Sequence, residues 1–124
     1  MTFLCYPKCT TCQKAKKWLE QSGICAEVRD IKQDNPGVEE LKKWHAASGL
    51  PLRKFFNTSG LLYKSLALKE KLPLMSDEEQ LQLLASDGML VKRPILVTAD
   101  GVLIGFREEE WARKLGCKTE NSEN

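Results

Sequence analysis

The sequence predicts an α/β fold in which a small mixed β-sheet is covered by helices. Two observations predict this class. A strand, a helix and a second strand follow one another within about the first thirty residues, which is the pattern of a βαβ unit with parallel strands. Toward the other end of the chain, two short apolar runs flank Asp100-Gly101, a dipeptide typical of β-hairpin turns.

The βαβ unit begins with the apolar stretch "TFLCY", which is predicted to be a strand. Pro7 and Lys8 then turn the chain into a helix expected over 10–22, and Gly23 is expected to end it. One face of that helix carries its apolar residues and is expected to be buried: Cys12, Ala15, Trp18 and Leu19. The stretch "CAEVRDI" alternates well enough to be the second strand.

A helical insert is predicted at about 35–90. In "DNPGVEELKKW", Asn35 is expected to cap a helix and Pro36 to occupy its first position. Leu41 and Trp44 are expected to form the buried side of this helix. The stretch 50–74 reads as short helices broken by "NTSG" and by a proline.

The end of the insert and the rest of the chain carry strong local signals. In "SDEEQLQLLASDG", Ser76 and Glu79 form a capping box and Gly88 is expected to stop the helix. The hairpin strands follow at 95–98 and 102–106, and "REEEWARKLG" forms a last helix with acids first and bases last, matching the helix dipole. We therefore expect a single domain over 1–116 and a disordered tail over 117–124.

Composition and charge exclude several classes of protein. The chain has 124 residues, 42% of them hydrophobic, and no apolar run approaches the length of a membrane span. Its net charge of +2 is too small to argue for direct nucleic-acid binding. We expect a cytosolic protein without a membrane partner. Tryptophans fall on apolar helix faces and are interpreted as core residues, and His45 is interpreted as an ordinary amphipathic helix residue.

The sequence contains five cysteines, at positions 5, 9, 12, 25 and 117. A structural disulfide framework is not expected, because the count is odd and the cytosol is reducing. The CxxC pair of Cys9 and Cys12 stands where the first strand gives way to the helix, and three interpretations are open for it: a redox pair, half of a zinc site, or two inert buried thiols. Zinc is disfavoured because the other cysteines and the lone histidine do not have ligand spacing.

The redox interpretation rests on the position of Cys9 at the edge of the predicted helix. The attacking form of cysteine is the thiolate, and a helix N-terminus presents unpaired N–H groups and partial positive charge that favour an anion. Lys8 is adjacent, and further lysines follow in the next turns at positions 14, 16 and 17. Cys12 lies one turn into the helix, at a distance suited to resolving a bond formed at Cys9. We therefore predict that Cys9 titrates well below Cys12.

The stretches "YPKCTTCQKAKKWLE", "KKWHAASGLPLRKFFNTSG", "LLASDGMLVKRPILV" and "GFREEEW" together resemble the arsenate reductase–Spx family. The resemblance covers roughly residues 2–115, and the order of its motifs is specific. It implies a thioredoxin-like fold with an inserted helical subdomain. It also implies a cis peptide bond before Pro94.

The resemblance assigns roles to individual residues. Cys9 corresponds to the nucleophile and Arg93, in the "RP" step, to an arginine that binds the oxyanion. Arg107 corresponds, one position out of register, to a second such arginine. Asn57 stands where a third arginine is expected, and Cys5 stands where a histidine is expected. Cys12 stands where redox-switch members have cysteine and glutaredoxin-dependent arsenate reductases have serine.

The resemblance leaves two functions open. The first is a thiol–disulfide oxidoreductase without a bound cofactor, acting on a small oxyanion such as arsenate or on a glutathione mixed disulfide, with catalytic Cys9, Cys12 and Arg93. Glutathione with glutaredoxin, or thioredoxin, would supply its electrons, and Lys8, Asn57 and Arg107 would contact its substrate. The second is an Spx-like redox-sensing regulator that binds RNA polymerase through its alpha subunit. Gly49 corresponds to a glycine used at that interface.

Overall fold

The computed structural model of the protein describes residues 1–116, and the tail predicted at 117–124 lies outside them. The elements in chain order are β1 (Thr2–Cys5), α1 (Thr10–Gln21), β2 (Glu27–Asp30), α2 (Val38–Ser48), α3 (Leu61–Ser65), α4 (Leu68–Lys71), α5 (Asp77–Ser86), β3 (Ile95–Thr98), β4 (Gly101–Ile104) and α6 (Glu108–Leu115). Short 3₁₀ helices occupy Leu52–Phe55, Leu72–Leu74 and Gly88–Leu90. The predicted α/β class and the predicted order of elements are confirmed. The limits of the domain and of its helical insert stay predictions.

The four strands form one mixed sheet in the order β2-β1-β3-β4. β1 runs parallel to β2, as the βαβ pattern predicts, and antiparallel to β3. β3 and β4 form the predicted antiparallel hairpin, with Thr98 paired to Gly101 at its turn. The first strand of the chain therefore lies inside the sheet, between an early strand and a late one.

Helices cover both faces of the sheet, and side chains alternate between the two faces along each strand. Leu4 and Ile95 point to the face covered by the helices between β2 and β3. Phe3 and Leu96 point to the opposite face, where α1 and α6 pack. The three tryptophans are buried, with Trp111 fully inaccessible, as the interpretation of them as core residues requires. Within residues 1–116, no helix is long and apolar enough to cross a membrane.

The predicted start of α2 is wrong by two residues. The helix begins at Val38 with Gly37 as its N-cap, and the Glu40 side chain accepts a hydrogen bond from the Gly37 backbone N–H at 3.2 Å. Asn35 instead donates its side-chain amide to the carbonyl oxygen of Ala85, at 2.7 Å. Asn35 therefore ties the segment before α2 to the end of α5, which a local capping signal does not reveal.

Helix α5 starts as predicted but ends differently. Ser76 and Glu79 form the capping box, with distances of 2.9 and 3.2 Å between the bonded atoms. The C-cap is Asp87 in an extended conformation, and Gly88 opens the following 3₁₀ helix. A Cβ atom on Gly88 would overlap the carbonyl oxygen of Ile31 and lie 2.7 Å from its carbonyl carbon. Glycine is therefore required at this position by a close backbone approach and does not act as the predicted helix stop.

A two-pronged ion pair joins β2 to the first turn of α2. Arg29 donates two hydrogen bonds to the Glu40 carboxylate, at 2.7 and 2.9 Å, and its Nε lies 3.3 Å from the Asp34 carboxylate. The Arg29 side chain is 18% exposed and that of Glu40 is 44% exposed. The hydrogen bonds from Arg29 hold the pKa of Glu40 below its ordinary value of 4.5.

We expect Glu40→Gln to destabilise the protein by about 1 kcal/mol at pH 7, a small value because the carboxylate is nearly half exposed. A carboxyl whose folded-state pKa is lowered contributes its stability above its unfolded pKa and loses it as the pH falls through the folded pKa. The difference between wild type and Glu40→Gln should therefore shrink once the pH falls below the ordinary glutamate pKa of 4.5, and vanish below the lowered folded-state pKa. Urea unfolding at pH 7 and at acid pH measures it, with exposed Glu39→Gln as the control. An equal difference at both pH values would contradict this account.

Candidate active site

Cys9 is the N-cap of α1 and is held there by the turn that precedes it. Its backbone N–H donates to the carbonyl oxygen of Tyr6 at 2.9 Å, which closes the turn over Pro7 and Lys8. Its backbone is extended, with φ −86° and ψ 119°, and its Sγ accepts a hydrogen bond from the Cys12 backbone N–H at 3.4 Å. The Cys9 side chain is half-buried. The nucleophilic sulfur predicted from the sequence thus takes the place of a helix-capping oxygen.

Cys12 lies one turn further along α1 and faces the protein interior. It is 2% exposed, and its Sγ accepts a hydrogen bond from the Tyr6 backbone N–H at 3.4 Å. Burial, together with the hydrogen bond to Cys9 and the charge of that thiol, raises the pKa of Cys12 to about 12. Cys12 is therefore a protonated thiol at neutral pH.

The pKa of Cys9 moves in the opposite direction. Burial alone would raise it, but hydrogen bonds from the backbone N–H and the thiol of Cys12 oppose that effect. The positive charge of Arg93 and a hydrogen bond from its guanidinium act in the same sense, and the net result is a Cys9 pKa below the ordinary cysteine value. The two thiols are thus set apart: one is stabilised as an anion, and the other is kept neutral beside it.

Arg93 is placed next to Cys9 by the start of β3. The peptide bond between Arg93 and Pro94 is cis, as predicted. The guanidinium carbon lies 5.4 Å from the centroid of the Tyr6 ring, over its face. Among the described residues, the buried Nε and Nη1 atoms of Arg93 have no hydrogen-bond partner. Buried donors without partners are costly, so this geometry favours an acceptor that enters from outside the chain.

A cleft of about 1010 Å³ brings the predicted site residues together. Its lining includes every residue that the sequence analysis placed in the site except Cys12, which lies beneath Cys9: Lys8, Cys9, Asn57, Arg93 and Arg107. These positions come from four separate parts of the chain. Their assembly in one cleft is observed, whereas the chemical role of each remains a proposal.

Asn57 lies on the insert side of the cleft. Its backbone N–H donates to the carbonyl oxygen of Leu90 at 2.8 Å, which fixes the "NTSG" turn against the end of the insert. Its side-chain nitrogen lies 2.7 Å from the position that a Cβ atom on Gly60 would occupy. The residue thus presents a neutral amide in the cleft where the resemblance leads us to expect a cation.

Two further lysines in the cleft were missed by the sequence analysis, namely Lys54 and Lys92. Lys92 directly precedes Arg93 in the "KRP" step, and its position next to an expected site residue could have identified it. No local pattern marks Lys54, which lies within the 3₁₀ helix Leu52–Phe55 that follows α2. In contrast, the lysines of α1 that were expected to support Cys9 do not line the cleft: Lys14, Lys16 and Lys17. Arg93, however, contributes to lowering the pKa of Cys9.

The described residues provide no metal centre. Within 1–116, no group of three histidine, cysteine or acidic side chains is arranged to hold a metal ion. Cys5, Cys9, Cys12 and Cys25 are free thiols there, and Cys117 lies outside the described part of the chain. Of the three interpretations of the CxxC pair, the asymmetric environment of Cys9 and Cys12 favours a redox pair.

Comparison with protein families identifies the architecture around this cysteine pair. The model of the ArsC family matches residues 4–114. The chain belongs to the ArsC family. The resemblance stated from the sequence is confirmed at this level, and so is the thioredoxin-like fold that it implied, since solved ArsC-like structures superpose on this one.

Relatives within the family carry different descriptions. The chain is 54% identical over 111 residues to the uncharacterized protein YusI of Bacillus subtilis, covering 90% of this chain and 94% of that protein. It is 33% identical over 119 residues to the regulatory protein MgsR of the same organism, covering 96% and 93%. The global transcriptional regulator Spx of Enterococcus faecalis is 28% identical over 93% of this chain and 86% of its own length.

Solved structures of ArsC-like proteins match over most of the chain. An ArsC family related protein from Bacteroides fragilis is 59% identical, with a TM-score of 0.89 over 90% of this chain and 94% of that one. A protein from Streptococcus mutans UA159, described as a possible arsenate reductase, is 46% identical, with a TM-score of 0.82 over 89% and 95%. The ArsC-like structures and the regulators each match about nine-tenths or more of this chain, so the extent of the match does not separate the two functions.

Proposed function

We propose that this ArsC family protein is a thiol–disulfide oxidoreductase in which Cys9 is the nucleophile and Cys12 the resolving thiol. One observation carries the proposal: two adjacent thiols share a hydrogen bond, and their pKa values are shifted in opposite directions. A half-exposed thiolate beside a buried neutral thiol is the pairing that disulfide exchange needs.

The reaction follows from that asymmetry. The Cys9 thiolate attacks one sulfur of a substrate disulfide, forms a mixed disulfide with that half and releases the other half as a thiolate, which takes a proton from water. The negative charge at Cys9 is then gone, and with it part of what raises the pKa of Cys12. Cys12 loses its proton, attacks the Cys9 sulfur and releases the second half as a thiolate. Thioredoxin, or glutathione with glutaredoxin, would reduce the resulting Cys9–Cys12 disulfide.

Arsenate is the weaker substrate candidate. Its charge is spread over several oxygens, so its turnover should need more than one cation around the nucleophile. Arg93 and Arg107 both line the cleft with Cys9, which supports binding of an oxyanion. Asn57 places a neutral amide at the remaining position, so we expect arsenate turnover to be weak or absent while disulfides are reduced.

The proposal is tested by following NADPH consumption with a glutathione mixed disulfide and the thioredoxin or glutaredoxin relay. Cys9→Ser should lower the rate at least about 10³-fold, because the serine hydroxyl is not ionised at neutral pH and cannot replace the thiolate as the nucleophile. With thioredoxin as the reductant, the Cys12→Ser variant should accumulate as a mixed disulfide. One half of the substrate then remains bound to Cys9 and is visible by mass spectrometry. Cys25→Ser, which changes an exposed thiol outside the cleft, is the control. Full activity in Cys9→Ser would refute the assignment, and strong arsenate turnover would correct our view of Asn57.

A redox-sensing regulator is the second candidate function, supported by the regulators MgsR and Spx among the relatives. Gly49, which the resemblance places at an interface with RNA polymerase, is exposed at the end of α2 with φ 69° and open space around it. Binding of the polymerase alpha subunit to the reduced and oxidised protein tests this function. Gly23 ends α1 with φ 70° and equally open space, so Gly23→Asn is the matched control for Gly49→Asn. Binding lost only in Gly49→Asn would favour the regulator.

A further inference from the structure

The cleft concentrates positive charge. Its lining contains one acidic residue, Glu110, and five cationic ones: Lys8, Lys54, Lys92, Arg93 and Arg107. The excess of four positive charges exceeds the net charge of +2 for the whole chain. Both ion pairs within residues 1–116 are made by Arg29, on another part of the surface, so no carboxylate of the described chain pairs with these five cations.

Arg93 adds a second, independent observation. Its Nε and Nη1 are buried and lack partners among the described residues, although the guanidinium is a planar fork suited to two oxygens of one anionic group. Exposed lysines are satisfied by bulk water, whereas buried guanidinium donors need an acceptor placed next to them. An anion in the cleft would satisfy them beside Cys9.

The size and walls of the cleft indicate that this anion is part of a larger molecule. A volume of about 1010 Å³ is far more than a tetrahedral oxyanion needs and lies at the upper end of small-molecule sites. Apolar and aromatic side chains share the lining with the cations, among them Leu61, which is 86% exposed, and Phe106. A ligand with an uncharged arm and several anionic groups would match both the apolar and the cationic parts of this lining.

We propose that the preferred substrate is a small disulfide of a polyanionic, phosphate-bearing thiol of the coenzyme A type; this rests on the proposed function. The Cys9 thiolate forms a disulfide with one half and expels the other as a thiolate. Cys12 then attacks the Cys9 sulfur and releases the first half as a thiolate. An external dithiol such as thioredoxin reduces the resulting Cys9–Cys12 disulfide and is itself oxidised. The excess of four positive charges in the lining, or three when Cys9 is a thiolate, exceeds the single net negative charge of a glutathione half, which has two carboxylates and one ammonium group. Several phosphate charges match this excess better.

The test compares two disulfides that share the same reacting arm. Coenzyme A disulfide carries the phosphates, whereas pantethine has the same pantetheine arm without them. At low salt we expect kcat/KM for coenzyme A disulfide to exceed that for pantethine by at least about tenfold, and the ratio to fall as salt is added. Lys54→Met should lower this ratio severalfold. Lys43→Met, which removes an exposed lysine of α2 outside the cleft, should leave it unchanged.

The outcomes separate this inference from the function on which it rests. Equal kcat/KM values for the two disulfides, or a ratio unaffected by Lys54→Met, would overturn the inference while leaving the oxidoreductase in place. Glutathione disulfide is the third substrate, and a kcat/KM equal to that of coenzyme A disulfide would show that carboxylates suffice, which also overturns it. Failure to reduce any of the three would remove the proposed function itself.

Discussion

Cys9 is expected to be alkylated by iodoacetamide at pH 7 at least about 10³ times faster than Cys12. The pKa of Cys12 is raised to about 12, so its thiolate is rare at neutral pH, and its side chain is only 2% exposed. Cys9 has a lowered pKa and is half-buried, which leaves its sulfur within reach of a reagent. Timed alkylation from pH 5 to 9, followed by peptide mass spectrometry, measures both thiols in one protein.

Arg93 should account for part of this reactivity. Arg93→Met removes a positive charge that lowers the pKa of Cys9, so the midpoint of its alkylation profile should move to higher pH. Arg107→Met is the matched control: it removes another arginine from the cleft, but one that is not among the main influences on the pKa of Cys9. A midpoint that stays in place in Arg93→Met would show that the bonds from Cys12 alone stabilise the thiolate. Slow alkylation of Cys9 in the wild type would contradict its assignment as the nucleophile.

Gly88→Ala is expected to destabilise the protein by about 3 kcal/mol or more. The new Cβ would overlap the backbone carbonyl of Ile31. That carbonyl has little freedom to move, since Ile31 is fully buried and its N–H donates to the Cys5 carbonyl at 2.9 Å. Either the 3₁₀ helix or the end of β2 must shift.

Urea unfolding of Gly88→Ala measures this loss, and Gly37→Ala is its control. Gly37 caps α2 with φ −88° and has nothing within 4 Å of the position of a Cβ atom. Alanine there costs only the small difference in capping preference. Equal urea midpoints for the two variants would show that the backbone near Ile31 yields easily.

The elements that the sequence predicted well are those fixed by local interactions. Ser76 and Glu79 bond to each other's backbone within one turn, so four consecutive residues carry the whole signal. Asn35 shows the opposite case: its side chain bonds to Ala85, fifty positions away, and a local capping preference could not reveal that. The requirement for glycine at position 88 likewise comes from Ile31, on a distant segment.

The same distinction applies to the candidate site. Cys9 and Cys12 were predictable because a CxxC pair at a helix start defines its own geometry. Arg93 and Arg107 came from the family resemblance, since their place in the cleft depends on β3 pairing with β1 and on β4 pairing with β3. Lys54 had neither kind of signal. Its presence in the cleft results from how the insert folds over the sheet.

The place of β1 inside the sheet has a consequence for how the protein is made. The ribosome releases the CxxC segment early, but β1 obtains its second neighbour, β3, only after the whole insert has been synthesised. Arg93 emerges together with β3, and therefore a nascent chain carries its cysteines long before the charge that helps to lower the pKa of Cys9. Until β3 has been made, Cys9 should therefore lack the part of its pKa lowering that comes from Arg93. We expect Cys9 to be less reactive in the newly made polypeptide than in the folded protein.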